Sequence, residues 1–310
     1  MDEQAWRKRN SGEPGNPGQF GSKFRTESEV RLAAPPRTLS EWSRRAIIDV
    51  VGSVLAPQRD ALTIVGAHAV NLRTQDLDVF VSPTGDGDLG VTPSLVLGEP
   101  PLDALMSAAG FEPRTDSRPG LWGRGRLEAD NGKVTWNEQI DLITGEGLSG
   151  NTRAGKRSVP ALSAHGRGVG STPGIELTAF DRSEMLVADF VDPGLTVEVN
   201  VAGYAALICA KSYKLGERLD AGGRRLRDKD AGDLWRLLRC ADPSSVVGIF
   251  SEYADHDSIG PSVSRGRAHV SHVLRNIEVR RMAKATFEVD VPDTEIDETF
   301  DSWFEVFPQE

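Results

Sequence analysis

The stretch Leu62-Thr-Ile-Val-Gly-Ala-His-Ala-Val-Asn-Leu-Arg-Thr-Gln-Asp-Leu-Asp-Val-Phe-Val81 constrains this chain more than any other. The apolar run Leu62 to Val65 stops at Gly66 and reads as a buried strand. Ala67 to Leu72 fits a short helix, and Leu77 to Val81 a second strand entered through Asp76-Leu77-Asp78. Side chains on a strand alternate, so Asp76 and Asp78 would share one face. Neighbouring carboxylates repel each other unless a cation lies between them, and a hard divalent ion such as Mg²⁺ suits oxygen ligands. Without a cation they would be solvated acids on a strand edge. Gly66, between strand and helix, can turn backbone N–H groups and a helix N-terminus toward a phosphate. A further acid, Asp141, sits inside the apolar run Gln139-Ile-Asp-Leu-Ile143, where it is either a strand-end aspartate or a third member of the group.

At 310 residues the chain can build one large domain or two smaller ones. Hydrophobic residues make up 38% and charged residues 26%, as in an ordinary soluble protein. No apolar run is long enough for a membrane span, and the polar start lacks a signal-peptide core, so the cytoplasm is the expected compartment. Cys209 and Cys240 lie in apolar helical contexts without partners at metal-ligand spacing, which predicts reduced thiols in or near the core. A formal net charge of −10 argues against broad binding to nucleic acid but leaves room for a local basic groove. Arg153, Lys156, Arg157 and Arg167 form one basic cluster, and Arg224, Arg225 and Arg227 another. Either is a solvated loop or a binding patch.

Residues 1–37 are rich in Gly, Pro and charge and read as a disordered tail, with Trp6, Phe20 and Phe24 as anchors if it serves interaction. A helix then starts with Thr38 or Ser40 as cap and Glu41 placed as in a capping box, and runs to about Leu55 before Pro57. Ser82 to Glu99 reads as a loop. Its Asp86 and Asp88 repeat the acid spacing, but within a glycine-rich turn. Pro101 to Ala109 predicts a short helix. Leu121 to Ala129 and Lys133 to Ile143 predict a hairpin around Asn131-Gly132. Residues 145–174 read as a long loop with one short strand. Ile175 to Ala179, Met185 to Phe190 and Thr196 to Val201 read as strands. The helix from Ala202 to Leu219 carries Lys211, Lys214 and Arg218 on one face, a solvated basic face or one that meets phosphates. In the next helix, Asp230 and Asp233 lie near the start, where acids favour the dipole. Helical pieces follow at Ser244 to Tyr253 and Arg265 to Ile277, and the acidic, aromatic end from Phe287 adds a strand or helix or stays mobile.

The segment Val65-Gly-Ala-His-Ala-Val-Asn-Leu-Arg-Thr74 followed by Asp76-Leu-Asp78 resembles the nucleotidyltransferase superfamily, the fold of DNA polymerase beta. Within it, the chain is most similar to bacterial toxins of the AbiEii/AbiGii group. Ala210-Lys-Ser-Tyr-Lys-Leu-Gly-Glu-Arg218, Arg227-Asp-Lys-Asp230 and Asp233 add to the likeness. It covers roughly Leu39 to Arg239, and Ala67 stands where the family has Gly or Ser.

This resemblance implies an α+β fold: a mixed sheet flanked by helices, followed by a mainly helical C-terminal region. The implied division is a tail at 1–37, a catalytic domain at 38–201, a helical domain at 202–286 and an acidic tail at 287–310. It implies Mg²⁺-dependent transfer of a nucleoside monophosphate from an NTP to a tRNA or protein acceptor. Such a protein can be the toxin of a toxin–antitoxin or phage-defence pair, with a cognate antitoxin as partner. Asp76 and Asp78 would hold two Mg²⁺ ions, and Asp141 would complete the second site or receive the acceptor proton. Gly66, Ala67, Arg73, Thr74 and Lys211 or Lys214 would bind the nucleotide. Asp230 would partner the helix lysines or act as an extra acid near the nucleophile. The other readings are a nucleotide-binding pseudoenzyme with a regulatory role and a non-enzymatic partner-binding protein.

Overall fold

The computed structural model describes residues 36–307, except 116–117, 129–130, 133, 151–158, 160–161 and 163–166. The expected tail anchors Trp6, Phe20 and Phe24, and the basic residues Arg153, Lys156 and Arg157, lie outside the described residues. Thr38 opens helix α1 (Leu39–Asp49) through a capping box. The Glu41 N–H donates to Thr38 Oγ1 at 3.2 Å, and the Thr38 N–H donates to Glu41 Oε2 at 3.1 Å. The helix runs on as a π turn over Val50–Val54 and ends before Pro57, as the sequence requires.

Strand β1 (Leu62–Ile64) leads through Gly66 into α2 (Gly66–Arg73), followed by β2 (Gly87–Val91), α3 (Leu102–Ala108), β3 (Glu112–Pro113), β4 (Leu121–Glu128), β5 (Val134–Gly145), β6 (Gly170–Thr172), β7 (Arg182–Ala188) and β8 (Thr196–Ala202). Helices α4 (Tyr204–Asp220), α5 (Asp228–Cys240), α6 (Pro243–Tyr253), α7 (Gly260–Arg275), α8 (Ile277–Thr286) and α9 (Asp293–Val306) complete the chain. The strand order is β3-β4-β5-β2-β1-β8-β7, with β6 beside the end of β5. β1–β8, β2–β5 and β5–β6 are parallel and the other pairs antiparallel, so the sheet is mixed.

This is the expected α+β architecture, a mixed sheet flanked by helices with a helical C-terminal region. One connected core runs from Ile47, Leu62, Leu89 and Ile140 through Leu207 and Trp235 to Phe250, Phe300 and Phe307. The C-terminal helices pack onto one another through α4–α7, α5–α8 and α4–α5. The end of the chain is helical up to Val306.

Two expected strands are absent, each for a physical reason. Residues 77–81 form no strand. Thr74 closes α2, the Leu77 N–H donates to the Thr74 carbonyl at 3.1 Å, and Phe80 and Val81 are exposed. Both edges of β1 are already taken, by β2 on one side and β8 on the other. The strand that pairs there is Gly87–Val91, within the stretch expected to be a loop. Its glycines are set by packing: a Cβ on Gly87 would stand 2.5 Å from Ile47 Cγ1 and 2.9 Å from Ile140 Cδ1. Residues 176–179 form a 3₁₀ turn in place of the expected strand at 175–179. There the buried Glu176 carboxylate turns inward and accepts from the Gly147 N–H, the Gly174 N–H and Ser262 Oγ.

Candidate functional site

The parallel register of β2 on β5 sets Asp88 directly beside Asp141. Gly87 and Ile140 point toward Ile47 of α1, so alternation turns both acids to the opposite face. Asp86 precedes Asp88 by two residues and shares its side. One carboxylate oxygen from each of the three lies within 4.8 Å of the others. Burial is the main reason that the Asp88 carboxyl is pushed up to about 8, with Asp86 and Asp141 adding repulsion and Lys211 and Lys214 pulling the other way. Asp141 is pushed up to about 6, again mainly by burial, while Arg114 acts against the rise and Asp86 with it.

The sequence placed the first two acids elsewhere. Asp76 and Asp78 are exposed in the turn after α2 and stand outside this cluster. Asp86 and Asp88, expected to be loop acids, are the pair next to Asp141. The signal for them was present as Asp86-Gly87-Asp88-Leu89, the same acid spacing as at Asp76, but its glycines read as a turn.

Gly66 holds this arrangement closed. It adopts φ +63°, in the left-handed region that favours glycine, and the Val65 N–H beside it donates to the Asp88 carbonyl at 3.0 Å. A Cβ at Gly66 would fall 2.0 Å from Asp88 Oδ2. Gly66→Ala is therefore expected to weaken divalent-cation binding by on the order of tenfold and to cost about 1–2 kcal/mol of stability. A Mn²⁺ titration and a thermal melt of the variant check both.

Asp86 is held from α1 and α2. Thr84 Oγ1 donates to Asp86 Oδ1 at 3.1 Å, and Ser43 Oγ contacts the Thr84 carbonyl at 3.3 Å. Ser43 in turn meets His68 Nε2 at 2.8 Å, and Arg44 Nε donates to His68 Nδ1 at 3.2 Å. Arg44 can only donate, so Nδ1 accepts and Nε2 carries the proton toward Ser43. Burial and the Arg44 charge lower the His68 pKa to about 3, which keeps the ring neutral.

Across a cavity of about 480 Å³ the acids face α4 and α5. Lys214 Nζ is 2.9 Å from Asp230 Oδ1, and Arg218 Nη1 is 2.5 Å from Asp230 Oδ2. Lys211 Nζ lies 2.5 Å from Asp233 Oδ2, and both side chains are buried. Burial opposes the charge on Lys211, but Asp233 and Asp230 outweigh it and its pKa is raised. Burial also opposes the charge on Asp230, and Lys211, Lys214 and Arg218 overcome it, so that carboxyl is held below its usual range. Arg118, Arg227 and Lys229 add positive charge to the lining.

No protein-family model matches the sequence, and no curated protein matches it. A solved structure similar to this chain is that of an antigenic nucleotidyltransferase-like protein from Paracoccidioides brasiliensis. It shares 11% identity, covers 72% of this chain and 92% of that one, and gives a TM-score of 0.36. At that score the likeness carries no weight.

Of the residues expected at a nucleotide site, Gly66, Ala67, Lys211, Lys214 and Asp230 line the cavity, as does Asp141. Arg73 and Thr74 do not. Arg73 is spent on β8 and β7, donating to the Ala202 carbonyl at 2.9 Å, the Val201 carbonyl at 2.6 Å and Ser183 Oγ at 2.8 Å. The Thr74 hydroxyl caps α2 by donating to the Val70 carbonyl at 2.8 Å. The acids meet the needs of a hard divalent cation. Their donors are all carboxylate oxygens within one ion's reach, and burial with mutual repulsion raises Asp88 and Asp141, an opposition to their charge that a bound cation would relieve. Among the described residues no helix is long and apolar enough to cross a membrane.

Proposed function

We propose that this chain is a divalent-cation-dependent nucleotidyltransferase, with Mg²⁺ as the cation and an NTP as the donor. The observation that carries the proposal is the Asp88–Asp141 register, with Asp86 alongside, opposite the cationic face of α4. Asp86 and Asp88 hold the cation, and Asp141 supplies the third carboxylate. When bound, the cation neutralises phosphate charge as a Lewis acid and acidifies the acceptor hydroxyl. Lys214 and Arg218 bind the phosphates. The N–H groups at Gly66 and Ala67 orient them, as a helix N-terminus does for an anion. Asp230 fixes both cationic side chains so that little order is lost on binding. The acceptor is an RNA such as a tRNA, or a protein side chain, and a toxin paired with an antitoxin is the biological setting that the sequence resemblance suggests.

The test is a transfer assay with Mg²⁺, each of four α-labelled nucleoside triphosphates, and cell extract split into RNA and protein fractions. Label in one fraction that disappears in Asp86→Asn/Asp88→Asn supports the reading and names both substrates. Label that survives in that variant rejects it. Asp76→Asn/Asp78→Asn separates the two acid pairs. Both residues are exposed and outside the cluster, so this variant is expected to bind Mn²⁺ as the parent does and to melt within about 0.5 kcal/mol of it.

A further inference from the structure

Four residues lie in one row across the sheet. The Arg114 N–H donates to the Leu121 carbonyl just beyond β3, Leu121 on β4 pairs with Asp141 on β5, and Asp141 pairs with Asp88 on β2. The Arg114 side chain reaches along this row. Its Nη2 donates to Asp141 Oδ1 and its Nη1 to Gln139 Oε1, and Gln139 lies two residues before Asp141 on the same face of β5. The arginine and aspartate side chains are each only 16% exposed. A guanidinium keeps its charge at every ordinary pH, and its planar fork fits two acceptors in a fixed geometry. Arg114 is therefore a permanent positive charge built against one of the three carboxylates.

We propose that Arg114 stands in the place of a second metal ion at Asp141, so that the acid cluster itself binds a single divalent cation. The inference rests on the cation-binding reading above and sharpens its stoichiometry. With a cation bound, the three carboxylates are ionised and carry three negative charges. Arg114 supplies one positive charge and a single divalent ion two, which brings the cluster to neutrality. A second divalent ion at Asp141 would meet the guanidinium on the same carboxylate and would find no negative charge left over. Among the described residues neither Asp86 nor Asp88 has a cation in ion-pair contact: Asp86 is held by the neutral Thr84 hydroxyl, and Asp88 packs against the backbone of Gly66, with Lys211 and Lys214 acting on it only from a distance. The single ion belongs between them and the free side of Asp141.

The experiment is a Mn²⁺ titration of the full chain without nucleotide, read by calorimetry and by the electron paramagnetic resonance of free Mn²⁺. The parent protein, Arg114→Gln, Arg114→Lys and Asp86→Asn/Asp88→Asn are compared. One ion is expected in the parent and in Arg114→Lys. A second, weaker ion is expected in Arg114→Gln, and none in the double aspartate variant. Two ions in the parent overturn the inference without a variant being needed, and so does a single ion in a folded Arg114→Gln. No ion in either the parent or Arg114→Gln overturns the cation-binding reading itself and this inference with it.

Discussion

Asp88→Asn is expected to abolish Mn²⁺ binding and, in metal-free buffer at neutral pH, to raise the melting temperature. Asn keeps the shape of Asp88 and its place in the β2 ladder, so the fold has no reason to change. What the substitution removes is a carboxylate whose charge is opposed by burial and by two neighbouring acids. A carboxyl raised from 3.8 to about 8 binds a proton in the folded state that the unfolded chain has already released. As pH rises through that window, the folded state alone must give the proton up, so stability falls from about pH 4 toward pH 8. Asp141, raised to about 6, adds to the fall in the lower part of the same window. Relief of the Asp88 charge is worth on the order of 1–2 kcal/mol, or roughly 1.5–3 °C in a chain of this size.

The decisive measurement is the difference between the melting curves of parent and variant over pH 4 to 9. The gap should be small at the acid end and widen with pH. Saturating Mg²⁺ should invert it, because an ion that binds only the folded parent stabilises by mass action. A constant gap would mean that burial does not hold the proton on Asp88, and a variant that still takes up Mn²⁺ would mean that Asp88 is not at the cation site.

The sequence makes some of this legible and hides the rest for definite reasons. The Thr38–Glu41 capping box, the hairpin around Asn131-Gly132 and the amphipathic helices α4 and α5 are specified by neighbouring residues, so local chemistry is enough to place them. Strand β2 is specified from a distance. Gly87 is small because Ile47 and Ile140 occupy the room a Cβ would need, and Gly90 because Thr178 Oγ1 and Val65 Cγ1 stand 3.2 Å from where its Cβ would lie. Such glycines look like a turn until their neighbours are known. The better alternation at Asp76 to Val81 loses because β1 has no free edge left for it. Arg73 shows the same limit: the family resemblance implies a nucleotide-binding role for it, but the β8 carbonyls that take up its guanidinium come from a segment more than a hundred residues later.

Lys211→Met is expected to destabilise the protein by about 3–5 kcal/mol, whereas Lys214→Met should cost less than about 1 kcal/mol. The sequence presents the two lysines as equivalent members of one basic face, and either could meet a phosphate. The structure separates them by burial. The Lys211 side chain is 8% exposed and pairs with an Asp233 side chain that is 5% exposed, so methionine would fill the space of the stem but strand a buried carboxylate. The Lys214 side chain is 45% exposed, and its partner Asp230 keeps Arg218 when the lysine is gone. Against a total stability of about 5–15 kcal/mol, the first loss is a large fraction and the second a small one. Adding Asp233→Asn to Lys211→Met should recover part of the deficit, and thermal melts of the four proteins in that cycle measure the coupling. Nucleotide binding should rank the other way among folded variants: loss of the exposed Lys214 charge removes a charge-assisted contact worth roughly 1.5–3 kcal/mol, which weakens NTP binding by about 10–100-fold with the fold intact. If Lys214→Met binds NTP as the parent does, the phosphates lie elsewhere in the cavity, on Arg118, Arg227 or Lys229. If Lys211→Met melts like the parent, the buried ion pair with Asp233 is not the support that holds α4 on α5.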